Sequence, residues 1–348
     1  MGISDLISSM SADEIKKYMH EHKNELTPAE RKQILTSWQE KSKAEKKEIA
    51  QKQAEEIAKI RPQASVSTDN IPAYYPTTMN NPSATIQQLY TDINALHSVY
   101  QPKLINTLME FDFWKWMVSE NTHTSIALEQ SKTAESHESD DNFIKLCKKQ
   151  NANFEQAFTD ILTYAHTEPN LTHDIVIQTA STLMNGIEPE HKNDYRRVGV
   201  QMYDLGIAVQ NPATIRPRMT SLLVALANNK DTSSQAAIKK ALDVHYNTIF
   251  IQPFIDTNKR TSRLLANYYL IQGGYPPILI SPKDQKEYID VMVELKKTGN
   301  PEKYETFMLS RLKHTMEKSI KRLNELPRKK NPISLDLFLK QHKKSVSR

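Results

Sequence analysis

Residues 251–265 read IQPFIDTNKRTSRLL. One proline, Asp256, Asn258 and the bases Lys259, Arg260 and Arg263 crowd together just ahead of an apolar run. If a helix begins at Asn258, its first backbone N–H groups and its dipole attract phosphate. Arg260 and Arg263, three residues apart, then project from one face. Each guanidinium can fork two hydrogen bonds onto phosphate oxygens. Asp256, just before that helix, is placed to hold a magnesium ion that also touches phosphate. The plainer alternative is a basic helix start with an Asn or Asp cap.

The 348 residues have room for one large domain with appendages, or for two domains. Hydrophobic residues make up 38% and charged residues 25%, ordinary for a chain with a packed core. No stretch reaches the ~18–20 apolar residues of a membrane span, and no membrane role is expected. The opening MGISDLISSM lacks the basic flank and apolar run of a secretory signal, and Leu6 argues against myristoylation of Gly2. A single cysteine, Cys147, excludes an intramolecular disulfide and reads as core filler. The net charge of +5, from 46 basic and 41 acidic residues, does not argue for nucleic acid. The scattered histidines show no zinc spacing. The seven glycines cannot build a Walker loop or a dinucleotide fingerprint.

Outward from the central stretch, residues 1–61 read as a charged helical region. Ser11 with Glu14 and Thr27 with Glu30 look like capping boxes, the second with Pro28 at the first helical position. Residues 62–84, with four prolines, read as a linker. Helical periodicity then predicts helices near 84–99, 102–119, 140–166, 173–185, 215–229, 233–250, 259–272, 283–298 and 301–325. Residues 196–209 alternate and carry a turn signal at Asp204–Gly206, which reads as a short β-hairpin. Residues 327–348 form a basic tail.

The central stretch resembles the Fic family signature H-P-F-x-[DE]-G-N-G-R-x-x-R, with Pro253, Phe254, Asp256, Asn258, Arg260 and Arg263 matching. The preceding HYNTIF (245–250), the following YLIQGGYPPILI and the DYRR at 194–197 resemble further family elements in the same order. The resemblance covers about residues 85–315. It implies an all-α Fic-type helical bundle over 85–326 with one small β-hairpin flap. It implies transfer of AMP from ATP to a target-protein hydroxyl, with ATP and magnesium as cofactors. The implied roles are metal binding for Asp256 and nucleotide or phosphate binding for Asn258, Lys259, Arg260, Arg263 and Thr257. A target protein would dock at the flap near 198–216. TSIALEQ at 124–130 resembles the inhibitory motif [ST]-x-x-x-E-[GN], carried on a helix near 121–135, with Ser125 and Glu129 matching and Gln130 departing. The implied inhibition is competition between the Glu129 carboxylate and phosphate for the Arg263 guanidinium. The setting would be the cytoplasm, or a host cytosol entered by an exported bacterial effector, and an oligomer is allowed.

Three departures qualify this expectation. Gln252 stands where the family has its catalytic His, and an amide cannot act as a general base near neutral pH. His245, two helical turns upstream at roughly 10 Å, is a poor substitute. Thr257 stands where the family has Gly or Ala, and a β-branched side chain resists positive φ. Lys259 replaces a common Gly and adds charge, while the retained Arg263 favours AMP transfer over kinase chemistry. Three readings stay open. They are an AMP-transferase fold impaired at Gln252, a hydrolase that removes AMP with Glu129 orienting water, and a non-catalytic pseudoenzyme or effector that binds protein.

Overall fold

The computed structural model describes residues 7–22, 26–41 apart from 28, 29, 32 and 39, 75–107, 111–130, 141–187, 194–200, and 211–326 apart from 232 and 234. Two compact units divide the chain, Met1–Ile71 and Pro72–Arg348. In the first, α1 (Ala12–Glu21) begins with the expected capping box. The Ser11 hydroxyl accepts from the Glu14 amide, and the Glu14 carboxylate accepts from the Ser11 N–H at 2.8 Å. Thr27 and Glu30 form the second box, with the Thr27 N–H donating to Glu30 at 2.8 Å. Ile7, Ile15, Leu26 and Ile34 close a small core, backed by Met10, Tyr18, Met19 and Trp38. The Lys41 ammonium donates to the carbonyls of Ile7, Ser8 and Met10 at 3.0, 2.6 and 2.5 Å.

Among its described residues the second unit consists of helices joined by loops, with no strand, an all-α fold. Its helices are α2 (Ala84–Thr107), α3 (Phe111–Gln130), α4 (Asp141–Thr167), α5 (His173–Leu183), α6 (Ile215–Asn228), α7 (Ala236–Ile251), α8 (Asn258–Gln272), α9 (Gln285–Thr298) and α10 (Glu302–Glu325). At its centre α7 and α8 form a helical pair, with α8 also against α4 and α5, and α2 along α10. Every residue of α8 from Arg260 to Ile271 is buried. A helix buried on all sides must still place its polar groups, here Arg260, Arg263 and Asn267, against partners. This central placement buries most of the 251–265 stretch and leaves Asp256 exposed.

Several expectations shift. The chain does not break before Pro102. Instead α2 runs through it to Thr107, and Pro102 removes one internal hydrogen bond without ending the helix. Ser125 and Glu129 lie on the last turns of α3, continuous from Phe111, while the remainder of the 121–135 helix lies outside the described residues. Cys147 is only half-buried, beside exposed Ile144 and Leu146 on the first turns of α4. Residues 201–209 of the hairpin, residues 62–74 of the linker and the tail from 327 also lie outside the described residues.

Residues 75–79, from the end of the stretch read as linker, are tied to the helices. The Tyr75 N–H donates to Asn247 Oδ1 at 2.8 Å, and Asn247 Nδ2 returns a bond to the Tyr75 carbonyl at 2.9 Å. The Thr77 hydroxyl donates to Asp243 at 2.6 Å, and the Met79 N–H donates to Glu305 at 2.7 Å. Tyr90 donates to the other Glu305 oxygen at 2.8 Å. Asp243 and Glu305 are both buried.

Candidate functional site

The six residues between α7 and α8 make a tight turn framed by two unusual conformations. Gln252 closes α7 with φ 48 and ψ 65, and Thr257 opens α8 with φ 69 and ψ 0. Among the described residues, these are the non-glycine residues with positive φ. A left-handed residue costs roughly 1–2 kcal/mol, and β-branched Thr is among the least suited to it. Thr257 nevertheless adopts the left-handed conformation that favours glycine. The surroundings enforce it, since Thr257 is buried and its N–H is held by Asp256 Oδ1 at 2.5 Å.

Gln252 and Pro253 are fastened from outside the turn. Arg196 donates from Nε to the Gln252 carbonyl at 2.7 Å, from Nη1 to the Val198 carbonyl at 2.7 Å, and from its backbone N–H to the Pro253 carbonyl at 2.8 Å. Its neighbour Tyr195 packs on Phe254 and bonds His173 Nδ1 at 2.7 Å. Asp194 pairs with Arg197 and Arg216. The DYRR element is therefore a clamp on the back of the turn. Its sequence reading named the motif but not the target of Arg196.

Asn258 braces the turn from inside. Its Oδ1 accepts from the Phe254 N–H at 2.9 Å and its Nδ2 donates to the Phe254 carbonyl at 2.7 Å. Its side chain is thus committed to the turn, and what it can offer an anion is its backbone N–H. No side chain caps α8, so the first-turn amide groups and the positive end of the dipole remain available to an anion.

Arg260 is buried and contacts the Asp256 carboxylate at 3.3 Å, while the Asp256 side chain is 62% exposed. One turn on, Arg263 reaches across to α3. Its Nε donates to the Ser125 hydroxyl at 2.9 Å, and its Nη2 to the Ser125 carbonyl at 3.1 Å and to Glu129 Oε1 at 3.0 Å. The Glu129 Oε2 faces Lys259 Nζ at 3.9 Å. Burial alone would raise the pKa of Glu129, but the charges of Arg263, Lys259 and Arg260 together hold its carboxyl below the usual range. Glu129 is therefore an anion at neutral pH, seated on the guanidinium.

Arg263 Nη1 is buried without a hydrogen bond of normal geometry, as is Gln252 Oε1. The guanidinium also lies against the Tyr288 hydroxyl, which it influences by charge and by hydrogen bonding. His245 is fully buried between Tyr304, at 2.8 Å from Nδ1, and Tyr288, at 2.7 Å from Nε2. Burial, reinforced by the charge of Arg263, drives its basicity down to about 3. It is neutral and occupied, so it cannot stand in for a base at position 252.

The described residues contain no group of three or more His, Cys, Asp and Glu that could hold a metal. A divalent ion at Asp256 would need oxygens from a bound phosphate to complete its shell. No helix among the described residues is long and apolar enough to cross a membrane.

Residues 170–270 match the model of the Fic/DOC family. Over 152 residues the chain is 28% identical to the protein adenylyltransferase Fic of Drosophila grimshawi, a span of 44% of this chain and 31% of that one. The Drosophila ananassae protein of the same name is also 28% identical, over 30% of its length. The matched span is thus about a third of the length of these relatives. Among solved structures, a Fic domain containing signaling protein from Bacteroides thetaiotaomicron superimposes with a TM-score of 0.53 at 21% identity, over 71% of this chain and all of that one. A Fic family protein from Desulfovibrio desulfuricans gives 0.57 at 18% identity, over 73% and 78%. These likenesses establish the fold, and over residues 170–270 the chain is similar to the Fic/DOC family.

Proposed function

We propose that this chain binds ATP with magnesium at the α7–α8 turn, in the manner of an AMP-transferase acting on a target-protein hydroxyl, and that Gln252 leaves transfer slow. The observation that supports this reading most directly is the pair of buried guanidinium groups beside an uncapped helix start. Among the described residues, Arg263 keeps one nitrogen without a good partner, and Arg260 pairs with an exposed carboxylate at 3.3 Å. A triphosphate supplies the acceptors such groups lack. A magnesium ion held by Asp256 would supply charge neutralisation at the transferred group. Asp256 is the protein ligand available to it. The Arg260 contact keeps that carboxylate oriented toward the turn.

The chain's own residues then divide the work. Backbone N–H groups of the first turn of α8, with Arg260 and Arg263, hold phosphate oxygens. Arg196 and Asn258 keep the turn in shape. A target hydroxyl, presented by a protein docked near 198–216, would meet the Gln252 amide. That amide can accept a hydrogen bond and orient the hydroxyl, but it cannot take the proton. Glu129 opposes the whole arrangement, since its carboxylate sits on the guanidinium that phosphate requires.

Titration calorimetry of the full chain with ATP and magnesium tests the reading. Weak binding that tightens in Glu129→Ala and disappears in Arg260→Ala is the expected pattern. Heat-silent titrations in all three proteins would remove the nucleotide and favour a protein-binding role.

A further inference from the structure

The inference rests on the nucleotide reading and concerns what holds the clamp behind the turn. Tyr195 is buried there, with its ring among three partners. The Phe254 ring lies 5.6 Å away, the His173 ring 5.6 Å away at 68°, and the Arg216 guanidinium carbon 5.2 Å over the ring. The Tyr195 hydroxyl meets His173 Nδ1 at 2.7 Å. The other imidazole nitrogen, Nε2, meets the Thr220 hydroxyl on α6 at 3.0 Å. His173 is the first residue of α5, just after the Thr172 cap, whose hydroxyl accepts from the Ile175 N–H at 3.3 Å. One imidazole thus joins α5, α6 and the stretch that carries Arg196.

The far end of this row fixes the direction of its protons. The Thr220 hydroxyl gives its one proton to the Arg216 carbonyl at 2.9 Å. Its oxygen therefore accepts from His173 Nε2–H, and Nδ1 is left bare to accept from the Tyr195 hydroxyl. The imidazole must be neutral to do this. A second proton would turn Nδ1–H on the phenol and leave the Tyr195 proton without its acceptor. The charges that act on the ring are Arg216 on α6 and Asp174 on α5, and Arg216 is itself paired with Asp194 at 2.6 Å. Burial first, and the Arg216 charge next, hold the basicity of His173 below its ordinary value, with Asp174 acting the other way. The neutral form and its bond are therefore present above about pH 6.5 and are lost as the pH falls through the lowered value.

We propose that His173 is a positioning residue for the turn that carries Gln252: as a neutral acceptor it fixes Tyr195, and its protonation loosens the nucleotide site from behind. Two links lead from Tyr195 to the turn. Its ring packs on Phe254, whose N–H and carbonyl are the groups that Asn258 braces. Its backbone runs directly into Arg196, which bonds the carbonyls of Gln252 and Pro253 at 2.7 and 2.8 Å. With Tyr195 released, the left-handed Gln252 loses part of its outside support. The first-turn N–H groups of α8 then lose the fixed aim that makes an anion site strong.

The test uses the full chain uniformly labelled with ¹⁵N. His173, assigned by the loss of its signals in His173→Gln, is expected as the neutral Nε2–H tautomer at about pH 7.5. His173→Phe, which removes donor and acceptor together, should speed amide exchange at Arg196 and Phe254 about fivefold or more. In the Glu129→Ala background it should weaken ATP–magnesium binding about 3- to 10-fold. His173→Gln supplies an uncharged donor and acceptor and should bring both back to within about twofold. Tyr195→Phe should match His173→Phe, and the double variant should lose no more. On acidification to about pH 5.5, affinity should fall about threefold further in the His173 parent than in His173→Gln, because titration of the nucleotide is common to both. An Nδ1–H tautomer overturns the proposal. So do additive losses in the double variant, or exchange and affinity that stay put while only thermal stability falls. If His173→Phe does not fold, the tautomer and the pH comparison with His173→Gln decide. If the Glu129→Ala chain binds no ATP, the nucleotide reading fails, and the tautomer and exchange measurements still judge His173.

Discussion

Replacing Gln252 by His isolates the missing proton acceptor. The backbone at this position is fixed independently of its side chain. The Gln252 N–H donates to the Thr248 carbonyl at 3.0 Å, and its own carbonyl accepts from Arg196 at 2.7 Å. Histidine is also among the residues that tolerate φ near 48. The substitution should therefore exchange side-chain chemistry without moving the turn. A positioned general base contributes roughly 10²–10⁴ in rate, or about 3–5 kcal/mol of barrier. The comparison belongs in a Glu129→Ala background, where no carboxylate at 129 occupies the Arg263 guanidinium in either protein. Transfer of labelled AMP from ATP to a protein acceptor, the chain itself included, is followed over time at saturating nucleotide. Gln252→His should gain at least a hundredfold in rate with nearly unchanged ATP affinity. The reasoning is refuted if the Gln252 parent transfers AMP within tenfold of the His variant. A gain that came entirely through affinity would refute it too, because it would make position 252 a binding residue.

Three further outcomes are expected. Thr257→Gly should relieve left-handed strain of roughly 1–2 kcal/mol, partly offset by about 0.5–1 kcal/mol of added chain entropy. Its melting temperature should stay close to the parent while ATP binding tightens in calorimetry, whereas Thr257→Val, still β-branched, should gain nothing. Arg196→Ala strands the Gln252 and Val198 carbonyls, at about 1–3 kcal/mol for a buried unsatisfied group. Faster amide exchange at Phe254 and lost nucleotide binding should appear together. Acidification should weaken the fold through His245. With a folded value near 3 and an unfolded value near 6.5, stability present above pH 6.5 is lost as the pH falls toward 3. Between pH 7 and 5 that amounts to about 2 kcal/mol. Denaturant midpoints of His245→Phe should show a correspondingly flatter pH dependence.

The helices that position the site were legible because they obey a 3.6-residue period, and α6 to α10 begin and end within a few residues of their sequence expectation. Pro102 misled because local propensity argues for a break, whereas packing of α2 along α10 carries the helix through. The site was legible as residue types but not as directions. Sequence could rank Asn258 as a phosphate ligand, yet whether an amide faces a ligand or its own turn depends on coordinates, and here it faces Phe254. The pairing of Arg263 with Ser125 and Glu129 was readable only through a motif more than a hundred residues away. The buried row of hydrogen bonds from Tyr288 through His245 to Tyr304 was not readable at all. Its members His245, Tyr288 and Tyr304 come from three helices, and tyrosines at those spacings look like any other core aromatics.

The ties from residues 75–79 bear on how this domain can be cut out for study. A fragment beginning at 85, where the sequence suggests the domain starts, would lose the donors that Tyr75, Thr77 and Met79 give to Asn247, Asp243 and Glu305. Two carboxylates, shielded in the whole chain, would then face one another across an opened seam beside the very helix that ends at Gln252. Shortened versions should start no later than 72, or a non-binding product will report the surgery rather than the domain.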